Sequence, residues 1–238
     1  MTGGHGSLPL LAWASAAGIV SVPVLRALLL ALACLPALAQ EPAFMQEPAF
    51  ILERREIAAP SALPAASLKL RLSLALLEDA GWEAERVLDA VREAIAVLAQ
   101  CDIVLEGAEL VRIRAPVRYH DFLTPLSRRL AAAVPLARPA IWFVRDTRQR
   151  PAFDAEAIGR SNSRTRPELA DTVWVTRRTR DLGIAIAHEL AHVLMDSGEH
   201  SDEPDNLMRK ETAPGSTQPS PAQCRRMQDS GRENGLLR

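Results

Sequence analysis

The segment between Asp181 and Asp196 restricts the possible folds of this chain more than any other part of the sequence. It is apolar almost throughout, which predicts a helix that is buried on most sides. Three ionisable residues nevertheless stand within it: His188, Glu189 and His192. Buried ionisable side chains need partners, and a metal ion is a natural partner for two imidazoles. A fold that buries this segment must therefore build a site around these three side chains.

The spacing of the two histidines indicates a zinc site. Residues four apart lie on one helix face, about 6 Å from each other along the axis, so His188 and His192 can converge on one ion. Glu189 lies too far round the helix to bind the ion in the same way, but it can reach a water held by the metal. Because zinc lowers the pKa of such a water toward about 7, Glu189 is the candidate general base for hydrolysis at a carbonyl.

A catalytic zinc needs a third protein ligand, and the sequence after His192 offers several. Asp196 is excluded on a continuous helix, because eight residues advance about 12 Å and three ligands cannot span that distance. Gly198 is expected to end the helix, which makes His200, two residues later, the favoured ligand. The alternatives are three carboxylates: Glu199, Glu203 and Glu211.

The N-terminal residues 1–39 are predicted to be a secretory signal peptide. An apolar run at residues 27–35 follows Arg26 and is too short to span a bilayer, and small residues precede a cleavage site after Ala39. The alternatives are a membrane anchor or a buried helix. Residues 1–23, which precede this segment, form an unusually long N-terminal extension for a signal peptide and indicate a misassigned translation start.

Residues 40–66 are proline-rich and carry a short duplication, which predicts a flexible leader rather than packed structure. Nothing after residue 40 approaches the length of a transmembrane helix. We therefore expect a protein that is secreted or periplasmic, without a stable membrane span once the signal is removed.

Signal cleavage would remove Cys34 and leave Cys101 and Cys224. Two cysteines in an oxidising compartment are expected to form one disulfide, with two free buried thiols as the alternative.

The remaining residues, 67–238, are predicted to form one domain. The formal net charge is -1 and the arginines are interspersed with acidic residues, so no nucleic-acid-binding surface is indicated. Patterns of period two or short β-branched runs predict strands, and patterns of three to four predict helices. The predicted strands are 68–74, 103–105, 110–113, 140–144, 155–158 and 171–176, and the predicted helices are 82–100, 124–133, 181–196 and one beginning at Ser220-Pro221. This order is typical of an α+β or α/β sandwich.

The motifs resemble those of the metzincin clan of zinc endopeptidases. His188-Glu189-x-x-His192, a glycine turn and His200 are similar to the clan's three-histidine signature, and Asn206-Leu207-Met208 resembles its Met-turn. The resemblance implies an α+β fold in which a mixed twisted sheet packs on two long helices, one carrying the active site, with a further C-terminal helix. It also implies Zn²⁺ as cofactor, Met208 beneath the metal, and an edge strand near residues 155–160 that pairs with a peptide substrate.

The chain departs from the clan's pattern in three ways. Met195 stands where the clan has its glycine, and His200 comes two residues later than the usual third histidine. The tyrosine that some members carry just after the Met-turn methionine is absent. Transition-state charge would then be stabilised by the zinc and by backbone donors.

Three functions follow from these expectations. The favoured one is an exported zinc endopeptidase, acting as a monomer on peptide or protein substrates. The second is a zinc-dependent amidase acting on cell-wall peptides or small amides, because the water-activating chemistry is the same. The third is a catalytically silent peptide-binding module of the same fold, which the presence of Glu189 disfavours.

Overall fold

A computed structural model describes residues 49–58 and 67–238, which form an α+β fold with one large mixed sheet and four helices. The strands are β1 (Phe50–Ala58), β2 (Leu68–Leu77), β3 (Ile103–Arg114), β4 (Asp121–Phe122), β5 (Ala140–Phe143), β6 (Asp146–Thr147), β7 (Ala155–Ile158) and β8 (Thr172–Val175). The helices are α1 (Ala84–Leu98), α2 (Thr124–Ala133), α3 (Leu182–Met195) and α4 (Pro221–Glu233). The predicted signal peptide and most of the leader lie outside the described residues.

The large sheet has six strands in the order β1-β3-β2-β5-β8-β7. The four inner strands run parallel to one another, and the two edge strands β1 and β7 are antiparallel to their neighbours. β4 and β6 form a separate two-stranded sheet. The predicted mixed sheet is therefore present, and its edge strand β7 has one side without a strand partner among the described residues.

The two faces of the sheet carry separate cores. One face, which includes alternate leucines of β2, packs against α1, α3 and Met227 of α4. The other face buries Trp142 and Trp174, stacked with ring centroids 5.1 Å apart, beneath Leu130 of α2. The predicted pair of long helices, α1 and α3, thus lies side by side on one face of the sheet.

Two strands of the large sheet differ from the sequence-based expectation, and the short strands β4 and β6 were not predicted. Phe50–Ala58 was expected to belong to a flexible leader but forms β1, which lies antiparallel to β3 at the outer edge of the sheet. Its side chains are mostly exposed, and ion pairs such as Arg54–Glu109 connect it to β3. The two strand pieces predicted at 103–105 and 110–113 are one continuous strand, β3.

A disulfide joins Cys101, in the turn that follows α1, to Cys224 in the first turn of α4. It fixes the C-terminal helix against the end of α1. Within residues 49–58 and 67–238, none of the helices has the length and apolar character needed to cross a membrane.

Candidate metal centre

The helix α3 holds its ionisable residues in the core. His188, Glu189 and His192 have relative exposures of 3%, 9% and 8%. The helix can be buried because its apolar residues face α1, α4 and strands β7 and β8 at once. The predicted burial of these three side chains is confirmed.

The helix ends at Met195, and Asp196 rather than Gly198 makes the turn. Asp196 adopts a left-handed backbone with φ of 46°, so the prediction that Gly198 ends the helix is wrong. The carboxylate of Asp196 accepts hydrogen bonds from the backbone N–H and the hydroxyl of Ser161, both at 3.0 Å. At Gly159, a Cβ would lie 2.6 Å from Oδ1 of Asp196, so a side chain there would displace this carboxylate.

The turn at Asp196 brings His200 back to the two helical histidines. Nε2 of His192 lies 3.0 Å from Nε2 of His188 and 3.3 Å from Nε2 of His200. One nitrogen from each of the three rings lies within 4.8 Å of the others, so the triad could hold a metal ion. A tetrahedral zinc with Zn–N distances of about 2.0–2.1 Å separates its nitrogen ligands by about 3.3–3.4 Å, which is close to the observed spacing.

The hydrogen bonds of the two buried histidines fix which nitrogen carries the proton. Nδ1 of His188 lies 2.7 Å from the carbonyl oxygen of Leu207, and Nδ1 of His192 lies 2.6 Å from that of Ser197. A carbonyl oxygen only accepts, so both Nδ1 atoms must donate. In a neutral ring Nε2 then carries a lone pair, and the two lone pairs face each other.

Protonation does not relieve this arrangement near neutral pH. Burial, together with the neighbouring His188 and His200, lowers the pKa of His192 to about 4, although the hydrogen bond to the Ser197 carbonyl offsets part of this effect. Burial also lowers the pKa of His188. The two helical histidines, His188 and His192, are therefore neutral and direct Nε2 lone pairs at each other with no proton between them, and a bound cation satisfies such a pair.

The carboxyl group of Glu189 lies beside the triad, toward strand β7. Burial, with a smaller contribution from the charge of Glu156, raises its pKa to about 8, although the backbone N–H of Ala157 offsets part of the rise. A carboxyl group whose pKa lies near neutrality can both accept and release a proton there.

Two clefts meet at this centre. One, of about 490 Å³, extends past Arg180 and Ala213, and the other, of about 560 Å³, extends past Gly159 and His200. Strand β7 and the residues His188 and Glu189 line both. An extended ligand can therefore lie across the centre with a cleft on each side of it.

The alternative third ligands lie elsewhere. Glu199 forms an ion pair with Arg226 of α4, and Glu203 accepts a hydrogen bond from Asn206 at 3.5 Å. Glu211 lines the first cleft but is not a member of the histidine cluster. Of the candidates, only His200 is brought together with His188 and His192 among the described residues.

Met208, the predicted base of the metal site, is 1% exposed and packs in the core that contains α3. Its backbone N–H donates to the side-chain oxygen of Asn206 at 2.9 Å, and its carbonyl accepts from the backbone N–H of Ser201 at 2.8 Å. These bonds fix the turn that presents the Leu207 carbonyl to His188.

Several groups that form or line this site were not predicted from the sequence. The carbonyls of Ser197 and Leu207 give no signal in the residue types, because they act through the backbone. Lys210 lines both clefts. Its position two residues after Met208, the residue predicted to lie beneath the metal, is the sequence signal that points to it. Gln223 completes a Ser-x-x-Gln capping box with Ser220, a pattern that is visible in the sequence.

Comparison with known proteins supports the fold. No protein-family model matches the chain, and no curated protein matches it. Among solved structures, the chain is similar to metalloproteinase-II from Bacteroides fragilis, with a TM-score of 0.51 and 16% sequence identity. The match covers 70% of this chain and 55% of that one, so this chain spans about half the length of its neighbour. At this identity the likeness is one of fold: the chain has the fold of a metalloproteinase around a three-histidine cluster that could bind a metal ion.

Proposed function

We propose that this protein is a zinc-dependent endopeptidase of the metzincin kind. The observation that carries the proposal is the convergence of three imidazole Nε2 atoms beside the buried carboxyl group of Glu189, at the junction of two clefts. His188, His192 and His200 are the proposed ligands, and a fourth position would remain open for water and substrate. The similarity of fold to a metalloproteinase supports the proposal.

The residues of the chain divide the work of hydrolysis. Zinc bound here would polarise the scissile carbonyl and lower the pKa of the attacking water. Glu189 takes one proton from that water as its oxygen adds to the carbonyl carbon. The same carboxyl group then gives the proton to the amide nitrogen as the C–N bond breaks, so that a carboxylic acid and an amine result and Glu189 returns to its starting state.

Strand β7 is the proposed binding strand for the peptide. Within the part of the chain that the structure describes, it pairs with β8 on one side only, and its residue Ala155 lines both clefts. A substrate in extended conformation can add to this edge as a further strand, which aligns the peptide bond with the metal centre. Two clefts on either side of His188 favour a peptide cut within its length over a small amide.

We further propose that the protein is exported from the cell. The disulfide between Cys101 and Cys224 supports an oxidising compartment, either extracellular or periplasmic. N-terminal sequencing of protein recovered from that compartment should begin at Gln40, and recovery with residues 1–39 intact would contradict the proposal.

The first test is a metal and activity measurement with matched variants. We expect the purified protein to hold close to one equivalent of zinc and to cleave casein. Glu189→Gln should keep the zinc and lose activity by a factor of about 10²–10⁴, the usual contribution of a general base. Glu203→Gln, a carboxylate of the following loop that lies outside both clefts, should behave as the wild type.

The third ligand is tested by comparing two neighbouring residues. His200→Ala should weaken zinc binding by more than about a hundredfold, above the range seen for residues that only support ligands. Glu199→Ala should leave zinc affinity unchanged, because Glu199 pairs with Arg226.

Four results would overturn the proposal. A zinc content below a tenth of an equivalent after mild purification would contradict the proposed metal site. Cleavage of casein retained in Glu189→Gln would contradict the role of Glu189 as general base. Turnover of small amides without cleavage of any protein would identify an amidase. Zinc binding without hydrolysis of either substrate would identify a binding module.

A further inference from the structure

The side chain of Gln223, in the first turn of α4, connects that helix to the turn beneath the metal centre. Its oxygen accepts a hydrogen bond from the backbone N–H of Ser220 at 2.7 Å, which closes the capping box of the helix. Its amide nitrogen donates to Oδ1 of Asn206 at 3.0 Å. Because a backbone N–H only donates, the orientation of the Gln223 amide is fixed by its partners.

Asn206 passes this contact on to the turn. Its Oδ1 atom also accepts the backbone N–H of Met208 at 2.9 Å, so the same oxygen joins Gln223 to the turn. Asn206 is 4% exposed, and water cannot readily replace either donor. Between Asn206 and Met208 stands Leu207, whose carbonyl accepts Nδ1–H of His188 at 2.7 Å.

The disulfide fixes the helical end of this connection. Cys224, adjacent to Gln223, is bonded to Cys101, and Gln228 one turn further donates to the Cys101 carbonyl at 2.8 Å. The first turn of α4 is therefore anchored to the end of α1, and Gln223 projects from an anchored position.

We propose that Gln223 is a positioning residue for the metal centre. By holding Asn206, it fixes the carbonyl of Leu207, and that carbonyl fixes the ring and the tautomer of His188. The inference rests on the proposed zinc site, and it adds a support that lies on a different element from any of the proposed ligands. Groups that hydrogen-bond metal ligands typically affect metal affinity by 10–100-fold.

A single substitution separates positioning from helix capping. Glu is the other residue favoured at this place in a capping box, so Gln223→Glu keeps an oxygen for Ser220. It replaces the amide donor by a carboxylate oxygen that faces Oδ1 of Asn206. If Asn206 rotates to donate instead, it no longer accepts from Met208, so the turn loses a hydrogen bond in either case.

We expect Gln223→Glu to weaken zinc binding by about tenfold, measured by competition with a chelating dye. The unfolding midpoint of the metal-free variant should fall only modestly, because the cap is kept and one hydrogen bond of the turn is lost. The visible spectrum of the cobalt-substituted variant should shift, which a distant effect on folding would not cause. Gln228→Ala is the matched control: it removes a glutamine hydrogen bond from the same helix, and its zinc affinity should not change.

A double-mutant cycle tests the route. In an Asn206→Ala background, Gln223→Glu should have no further effect on zinc affinity, because the shared oxygen is gone. Independent, additive effects would overturn the inference, as would wild-type zinc affinity in Gln223→Glu or an equal loss in Gln228→Ala. A wild-type protein that binds no zinc would overturn the proposed function together with this inference. A zinc-loaded active enzyme insensitive to Gln223→Glu would overturn this inference alone.

Discussion

The disulfide between Cys101 and Cys224 should supply a large share of the stability of the metal-free protein. The two cysteines are 123 residues apart in sequence, and closing a loop of that length in the unfolded chain removes much of its conformational entropy. The loop-entropy relation gives about 5 kcal/mol at 25 °C for such a bridge. Since small domains have a total stability of about 5–15 kcal/mol, its loss should be easy to measure.

The perturbation is the double substitution Cys101→Ala/Cys224→Ala, which removes the bridge without leaving a reactive thiol. Urea unfolding is followed by the fluorescence of the buried Trp142 and Trp174, with a chelator present so that metal binding does not contribute. With a slope of about 3 kcal/mol per molar urea, a loss of about 5 kcal/mol lowers the midpoint by about 1.7 M.

Reduction provides the control for this experiment. A reductant should lower the midpoint of the wild type toward that of the double variant and leave the double variant unchanged. A midpoint difference below about 0.3 M, which corresponds to roughly 1 kcal/mol, would refute the reasoning. It would mean either that the cysteines are not joined in solution or that the unfolded chain is already compact without them.

Two further predictions concern charged side chains. Lys210→Met should lower kcat by about tenfold with zinc content unchanged, because Lys210 lines both clefts and its ammonium can stabilise the charge that develops on the substrate oxygen. The control is Lys69→Met, at the other lysine of the chain, which should have no effect on kcat. Equal losses of kcat in the two variants would contradict this role of Lys210. Asp121→Asn should destabilise the protein at pH 7 by about 1–2 kcal/mol, a value reduced for the partial exposure of its arginine partners. The hydrogen bond from Arg145, together with its charge and a second hydrogen bond from Arg148, lowers the pKa of Asp121. The stabilisation is therefore present above the ordinary aspartate pKa of about 3.9 and is lost as the pH falls below that value. Urea unfolding should show the difference in stability between Asp121→Asn and the wild type at pH 7 and not near pH 2, and a difference independent of pH would contradict the assignment.

The features that could be predicted from the sequence are those set by local geometry. His188 and His192 share a helix face whatever the rest of the fold does, and the apolar residues between them predict burial. The alternation in β2 identifies a strand in the same way, and Ser220-Pro221 identifies the start of α4. In each case the determining residues lie within a few positions of one another.

The strand β1 could not be predicted, because its stabilising contacts are distant in sequence. Both faces of Phe50–Ala58 are largely exposed, so the chain has no alternation of apolar and polar residues there. What holds it is pairing with β3, including an ion pair between Arg54 and Glu109 with an N–O distance of 2.6 Å. Nearby prolines favoured a flexible leader, but an edge strand tolerates such flanks.

The position of His200 depends on one residue whose conformation the sequence did not reveal. Whether a histidine can bind a shared metal ion depends on where its ring nitrogen lies. The number of residues between two histidines affects this position only through the path that the chain takes between them. Asp196 takes the left-handed conformation that glycine takes more readily, and its carboxylate is held by Ser161, which lies 35 residues earlier. The carbonyl of Ser197, just after the turn, is then free to accept Nδ1–H of His192, so the residues that lengthen the spacing also orient the second histidine. A two-residue delay of the third histidine is therefore compatible with a converging triad, because the turn and the loop that follow the helix absorb it.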